Sequence, residues 1–256
     1  MSAFLGGSSR QSLQVARGAL DVAVKGATGA AAASLSAELF VVAKTLHGSL
    51  SLRRAITDPS RDASAKETLV KDLFKSLSAP AIDLTAKVSS IRWSNSGDLV
   101  QVLEQLAIEA QASAANIDGA LDRVEDELFA AEQAVAGSPE LRKALITVGA
   151  DSAKAGIVKD LFAKNGSPYT VALLSQLVTT LRGRSIEVAF HDYKYALAAR
   201  RNRVIALVRV AVALTDAQRD RLAASLTAQV GQPVRINIEI DPTIIGGVAI
   251  KFADEL

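Results

Sequence analysis

The first 200 residues carry apolar side chains at intervals of three and four, the spacing of amphipathic α-helices. One such run passes through Leu128 and Val135, and after a break the pattern resumes at Leu141. The break contains Ser138 and Pro139, which are typical of an N-cap and of the first turn of a helix. The pattern therefore predicts a succession of helices separated by short turns.

The last quarter of the chain has a different pattern. Residues 204–214 are rich in β-branched side chains, and residues 234–240 alternate apolar with polar positions, so both segments are predicted strands. Thr215 opens a predicted amphipathic helix that ends near Val230, and residues 244–252 are a predicted third strand. This region is expected to form a small α/β module.

Comparison of the chain with itself reveals an internal duplication. Identical residues occupy 16 of 33 aligned positions, whereas composition alone would give roughly one in fourteen. The matches include Glu38–Phe40 with Glu127–Phe129, and Val70–Phe74 with Val158–Phe162. Core-type and charged positions match alike, so the sequence predicts two copies of one helical module.

Two segments between predicted turns remain open to alternatives. Asp98 is a candidate N-cap for a helix that extends to about Ala136 and joins the two modules as a stiff rod. The alternative is a bend near residues 116–119. The small-residue tract at residues 26–37 is either a loop or a helix that packs closely through alanine.

Composition and charge exclude several classes of function. A net charge of +2 with well-mixed charges gives no field that would select nucleic acid or anionic lipid. The absence of cysteine excludes disulfides and thiolate sites. The longest uncharged stretch, residues 165–181, is shorter than a membrane span and is predicted to be a buried core helix. No secretion signal is indicated, so we expect no direct membrane insertion.

The predicted fold is therefore mainly α, with two homologous helical-bundle domains joined by a long helix and followed by a small α/β domain. The expected boundaries are residues 1–110 for the first helical domain, 111–202 for the second, and 203–256 for the C-terminal domain.

Candidate chemical groups are few. His47 and His191 lack the spacing of metal ligands, and neighbouring carboxylates such as those at residues 125–127 are explained by solvated helix faces. Gly246 and Gly247 are not followed by the lysine and hydroxyl residue of a phosphate-binding loop, so a tight turn is predicted. The sequence gives no catalytic residue, no metal site and no cofactor site.

Two basic clusters leave alternatives. Arg200, Arg201 and Arg203 form either a phosphate site or a solvated helix end, and the lack of interleaved aromatic residues favours the second. Arg182 and Arg184 flank Gly183, and contact with a partner and simple exposure are equally compatible with that position.

The segment from Leu214 to Leu256 resembles the C-terminal module of ATP synthase delta subunits, the family that includes the oligomycin-sensitivity-conferral protein. The similarity combines a Leu-Thr helix opening with Gln218, then Gly231, a strand, and the Asp241, Ile245, Gly246, Gly247 signature. The second helical copy, with PELRKAL and VKDLF, is similar to the family's helical domain. The additional first copy resembles the enlarged delta subunits of actinobacteria.

This resemblance implies a non-catalytic stator at the top of the peripheral stalk, on the cytoplasmic side of the plasma membrane. Its implied partners in a heteromeric complex are N-terminal segments of the alpha subunits and the C-terminal region of subunit b, with no nucleic acid. A helical bundle captures an amphipathic helix in an apolar groove. The candidate groove residues are Leu128, Phe162, Leu174, Leu177 and Leu181, and the candidate subunit b contacts are Asp241, Ile245, Gly246 and Gly247. The alternative is a generic helical-repeat adaptor that binds helices of another complex.

Overall fold

The chain divides into two compact units, Met1–Arg200 and Arg201–Leu256. In this computed structural model the described residues are 5–147, 149–162, 164–200, 204–212, 214–230, 234–240 and 248–252. The first unit is helical, whereas the second combines a helix with strands. The predicted fold class, mainly α with a small α/β part at the C-terminus, is confirmed.

The described part of the helical unit contains α1 (Gly7–Val24), α2 (Gly29–Gly48), α3 (Leu50–Thr57), α4 (Ala63–Leu73), α5 (Ala79–Ser90), α6 (Ser96–Ile117), α7 (Leu121–Gly137), α8 (Pro139–Ile146), α9 (Asp151–Phe162), α10 (Pro168–Thr179) and α11 (Ile186–Ala198). The second unit contains β1 (Val204–Val210), α12 (Asp216–Val230), β2 (Val234–Ile240) and β3 (Val248–Phe252).

The two helical copies repeat the same hydrogen bonds. In the first copy the backbone N–H of Ser78 donates to Glu38 at 2.9 Å. A carboxylate of α2 therefore accepts a hydrogen bond from the N-cap residue of α5. In the second copy the N–H of Ser167 donates to Glu127 at 2.9 Å, which joins α7 to the start of α10. The matched contacts extend the duplication from the sequence to the tertiary structure.

The short third helix of each copy also begins in the same way. Ser49 and Ser138 are N-caps with nearly identical backbone angles, φ −130° and ψ 103° against φ −128° and ψ 101°. Each hydroxyl accepts a hydrogen bond from the N–H three residues later. The helix start predicted at Ser138 is confirmed.

α6 lies at the centre of the helical unit, where sixteen of its 22 residues are buried. It packs against α1, α2, α3 and α5 of the first copy and against α7, α10 and α11 of the second. An amphipathic helix buries one stripe, whereas a helix buried on most sides has neighbours all round. α6 therefore serves as the last helix of one bundle and the first of the next. The domain boundary predicted at residues 110 and 111 falls within α6, and the three-domain division stays a prediction.

The predicted continuous helix from Asp98 to about Ala136 is wrong, and the alternative of a bend is correct. α6 ends at Ile117, and Gly119 adopts φ 68°, a left-handed conformation that glycine takes at little cost. The N–H of Ala120 then donates to the Ala115 carbonyl at 2.7 Å. The helix also begins earlier than predicted, because Asn95 is the N-cap and Asp98 lies in the first turn.

The small-residue tract is a closely packed helix. Thr28 caps α2, and the Ser36 hydroxyl donates to the Ala107 carbonyl of α6 at 2.7 Å, a distance that requires close helix approach. By length and composition alone α2 is long and apolar enough to cross a membrane. Its apolar face is covered by α6 and α5, which is typical of a core helix in a soluble protein. The predicted core helix in residues 165–181 is confirmed as α10, whose Leu173 is fully buried.

The C-terminal unit contains a three-stranded sheet in the order β2-β1-β3. β1 and β2 are parallel and connected through α12, whereas β3 is antiparallel to β1. α12 begins with a capping box, in which the Thr215 N–H donates to Gln218 at 2.9 Å and the Gln218 N–H donates to the Thr215 hydroxyl at 3.3 Å. The predicted order of strands and helix is confirmed.

Candidate functional site

An apolar cavity of about 660 Å³ lies between the first and second helical copies. Ala33, Ala37 and Phe40 of α2 form one wall, and Phe162 and Ala172 lie opposite on α9 and α10. Its volume falls in the range of ligand pockets, about 300–1,000 Å³. Apolar grooves on helical bundles are the kind of site in which an amphipathic helix buries its apolar side chains.

Local packing positions both aromatic walls. A Cβ on Gly166 would lie 2.5 Å from the Phe162 Cβ, so glycine at this turn allows the ring to close over the start of α10. Phe40 is 5% exposed, and its ring lies 6.5 Å from that of the buried Tyr193 on α11. The two sides of the cavity are therefore held by the packed core.

The five predicted groove residues lie at different depths. Leu128, Leu174 and Leu177 belong to the core and are at most 3% exposed. Phe162 and Leu181 are partly buried against that core, and of the five Phe162 borders the cavity. The role of the five residues as a partner groove stays a prediction.

The predicted contacts with subunit b, Asp241, Ile245, Gly246 and Gly247, lie outside the described residues, as do Arg201 and Arg203.

Arg182 and Arg184 are partly buried and paired within the chain, so simple exposure is wrong, whereas contact with a partner stays a prediction. Both guanidinium groups face Glu104 of α6, which is 1% exposed, and the Arg184 Nη2 lies 2.8 Å from its carboxylate. Arg184 also binds Asp192 of α11 at 2.9 Å. Together these ion pairs fix the turn between α10 and α11 to the central helix.

A second buried carboxylate of α6 connects the two copies. Glu109 lies 2.9 Å from Arg17 of α1 and 3.1 Å from Arg200, which follows α11. Arg200 also pairs with Asp21 of α1. This arginine is therefore not part of a solvated helix end, because it attaches the end of the helical unit to its first helix.

Burial changes the acid–base properties around these networks. Desolvation, followed by the nearby charge of Arg184, lowers the pKa of Arg182 to about 10. Burial and the charge of Arg182 also lower the pKa of His47, which lies on the adjacent face of α2. Both shifts follow first from burial and then from the positive charge of neighbouring arginines.

The Glu127 carboxylate has a structural role at the start of α10. Burial by itself would raise its pKa, but hydrogen bonds from Thr170, Arg123 and the Ser167 N–H outweigh burial and hold the pKa below its usual value. The acidic run at residues 125–127 is thus partly a helix cap. Among the described residues, no group of three or more His, Asp or Glu side chains is arranged to hold a metal ion.

Sequence reasoning missed an exposed aromatic residue in the second copy. Phe129 aligns with Phe40, yet it is 55% exposed, and the Lys194 ammonium lies 6.0 Å from the centre of its ring. The duplication contained the signal, because the first copy's phenylalanine is covered by the second copy whereas the second copy has no third copy to cover its own.

Comparison with known proteins gives consistent matches. The family described as ATP synthase delta (OSCP) subunit matches residues 108–256. The chain is similar to "ATP synthase subunit delta" of Streptomyces coelicolor, with 40% identity over 98% of this chain and 92% of the relative. The proteins of the same name from Kineococcus radiotolerans and Acidothermus cellulolyticus are 38% and 40% identical, over 98% of this chain and 91% and 93% of theirs. The chain therefore belongs to the ATP synthase delta (OSCP) subunit family, in the enlarged form with a duplicated helical module.

Proposed function

We propose that this protein is a non-catalytic stator subunit of an F-type ATP synthase, which fixes the catalytic head to subunit b against the torque of the rotor. Membership of the delta family over nearly the whole chain carries this proposal. The subunit contributes rigid shape and binding surfaces, and it lies on the cytoplasmic side of the membrane through its complex.

The helical unit suits this role because its two copies share α6 and are connected by buried ion pairs rather than by a flexible tether. We propose that the cavity between α2 and α10 receives apolar side chains of an alpha-subunit N-terminal helix. In this proposal Phe162 contacts the partner helix at the cavity, and Leu128, Leu174, Leu177 and Leu181 support the groove from the packed core. The Asp241 and Ile245–Gly247 segment is the proposed contact with subunit b.

Binding assays with the full chain test this proposal. We expect capture of the alpha-subunit N-terminal segment and of the subunit b C-terminal region. Ala172→Glu places a charge on an exposed position of the cavity wall and should weaken binding of the alpha segment but not of subunit b. Ala134→Glu makes the same change at an exposed position of α7 that does not line the cavity, and it should bind normally.

Three outcomes would contradict parts of the proposal. If the folded chain binds neither the alpha segment nor subunit b, the stator role is excluded. Equal binding of unrelated amphipathic helices would instead favour the generic adaptor. If Ala134→Glu and Ala172→Glu weaken binding equally, the alpha segment does not dock in this cavity.

A further inference from the structure

A second cavity of about 660 Å³ lies in the first helical copy, and its lining is polar and basic. The end of α3 contributes Thr57, the following turn contributes Arg61, and α4 contributes Lys66. The connection from α5 to α6 contributes Arg92, Ser94 and other polar residues, with Trp93 as an apolar wall. Among the described residues that line the cavity, three are cationic and none is a carboxylate.

Lys66 is the central observation. The residue is only 6% exposed, and within the described part of the chain its ammonium group forms no hydrogen bond and no ion pair within 4 Å. The aliphatic stem is buried, whereas the charged end keeps contact with solvent at the cavity. Lysines buried to this degree normally have a charged partner. The side chain lines the cavity, where an anion would supply the missing partner.

Two carboxylates that neighbour cavity residues in the sequence have other partners. Asp58 accepts hydrogen bonds from the Ser60 N–H and hydroxyl, at 2.9 and 2.7 Å, and interacts with Lys66 only at longer range. Asp62 caps α4 by accepting from the Ala65 N–H at 2.8 Å. The local acids therefore leave the cations of the cavity without a direct counter-ion.

In the second copy the cations of the corresponding connection are paired with carboxylates of the same chain. Its α10–α11 connection also carries two cations, Arg182 and Arg184, but both are bound to Glu104, and Arg184 also to Asp192. In the first copy the corresponding α5–α6 connection carries Arg92, which no described carboxylate binds within 4 Å. Because Arg92 is exposed, its guanidinium is open to solvent and to an anion from outside the chain.

We propose that this cavity is a binding site for a small oxyanion of the phosphate class. Lys66, Arg61 and Arg92 supply the positive charge, and the Ser94 hydroxyl supplies a neutral donor when its bond to the Ser8 hydroxyl runs from Ser8 to Ser94. Charge-assisted hydrogen bonds from lysine and arginine are the strongest that phosphate oxygens accept in proteins. Because the cavity is in the size range of pockets for organic ligands, the phosphate is either free or attached to a small organic group.

Calorimetric titration of the full chain with inorganic phosphate, pyrophosphate and metal-free ADP, at constant ionic strength, tests this site. We expect saturable binding and a phosphate-dependent rise in Tm. Tighter binding of ADP than of phosphate would identify an organic phosphate as the ligand, and equal binding would identify the free anion. Absence of saturable binding for all three compounds would overturn the proposal.

Two variants separate a ligand site from general surface charge. Lys66→Met should weaken phosphate binding at least tenfold, whereas Lys154→Met, which alters the matching lysine of the second copy, should leave it unchanged. Lys66→Met should also be as stable as the original chain in anion-free buffer, because it keeps a long apolar stem and removes no side-chain hydrogen bond or ion pair. Equal losses of binding in both variants, or unfolding of Lys66→Met in that buffer, would contradict the assignment.

Discussion

Replacement of Glu104 by glutamine should destabilise the helical unit more than any single change at its surface. The carboxylate is 1% exposed and faces both Arg182 and Arg184, whose side chains are 15% and 18% exposed. Removing one partner of a buried ion pair costs about 3–5 kcal/mol, because the other charge stays buried without compensation. Arg184 retains Asp192, and the glutamine amide still accepts one hydrogen bond. We therefore expect the lower end of that range, about 3 kcal/mol.

The sole tryptophan makes this loss measurable for the helical unit alone. Trp93 is buried in that unit, so its fluorescence during urea denaturation reports unfolding of residues 1–200 and not of the C-terminal unit. A loss of about 3 kcal/mol corresponds to a fall in Tm of about 6–12 °C for a unit of this size. Glu187→Gln is the control, because Glu187 is 54% exposed and pairs with the exposed Arg142, so its loss should be below about 1 kcal/mol.

A double variant tests the physical reason. Adding Arg182→Met to Glu104→Gln removes the cation that would otherwise be stranded, so the double variant should be more stable than Glu104→Gln alone. The reasoning would be refuted if Glu104→Gln lowered the free energy of unfolding no more than Glu187→Gln does. It would also be refuted if adding Arg182→Met lowered that free energy further.

Further substitutions in the helical unit have expected effects on its stability, each measured by unfolding of the full chain. Gly119→Ala should lower the free energy of unfolding by about 1–2 kcal/mol, because the residue has φ 68° although a Cβ would meet no neighbour. Gly137→Ala should be nearly neutral, because a Cβ there also meets no neighbour. Equal effects of the two substitutions would contradict a conformational cause. Ser49→Ala and Ser138→Ala should each cost about 1 kcal/mol, and clearly unequal losses would show that the two caps are not equivalent. The pKa of Glu127 is lowered in the folded chain, so its stabilising effect is present above its usual pKa and lost as the pH falls through the folded value. Glu127→Gln should therefore flatten the fall of Tm in acid, and parallel curves would contradict this.

Features set by neighbouring residues were predictable from the sequence. Two helix starts depend on hydrogen bonds within one turn. They are the start of α8 at Ser138 and Pro139, and the start of α12 at Thr215 with Gln218. The break at Gly119 could not be decided in the same way. The apolar pattern continues from α6 into α7, and a single glycine within a helix costs only about 1 kcal/mol.

Features set by distant residues were not predictable. The turn around Gly183 carries two arginines that look exposed until α6 brings Glu104, about 80 residues earlier, beneath them. The leucines predicted to form a groove illustrate the same difficulty. An apolar stripe on α10 shows that Leu174 and Leu177 are covered, but it does not show whether the cover is a partner or the chain itself.

The shared use of α6 explains why a duplicated sequence gives one compact helical unit. In two independent bundles each terminal helix would expose one face, and a bend between them would allow relative motion. Here α6 presents Glu104 to the second copy and Glu109 to both, through Arg17 of α1 and Arg200 after α11. Movement of one copy against the other would have to expose these carboxylates and the apolar face of α6 together. The cost of that exposure makes the unit a stiff body, which is the property that a stator requires.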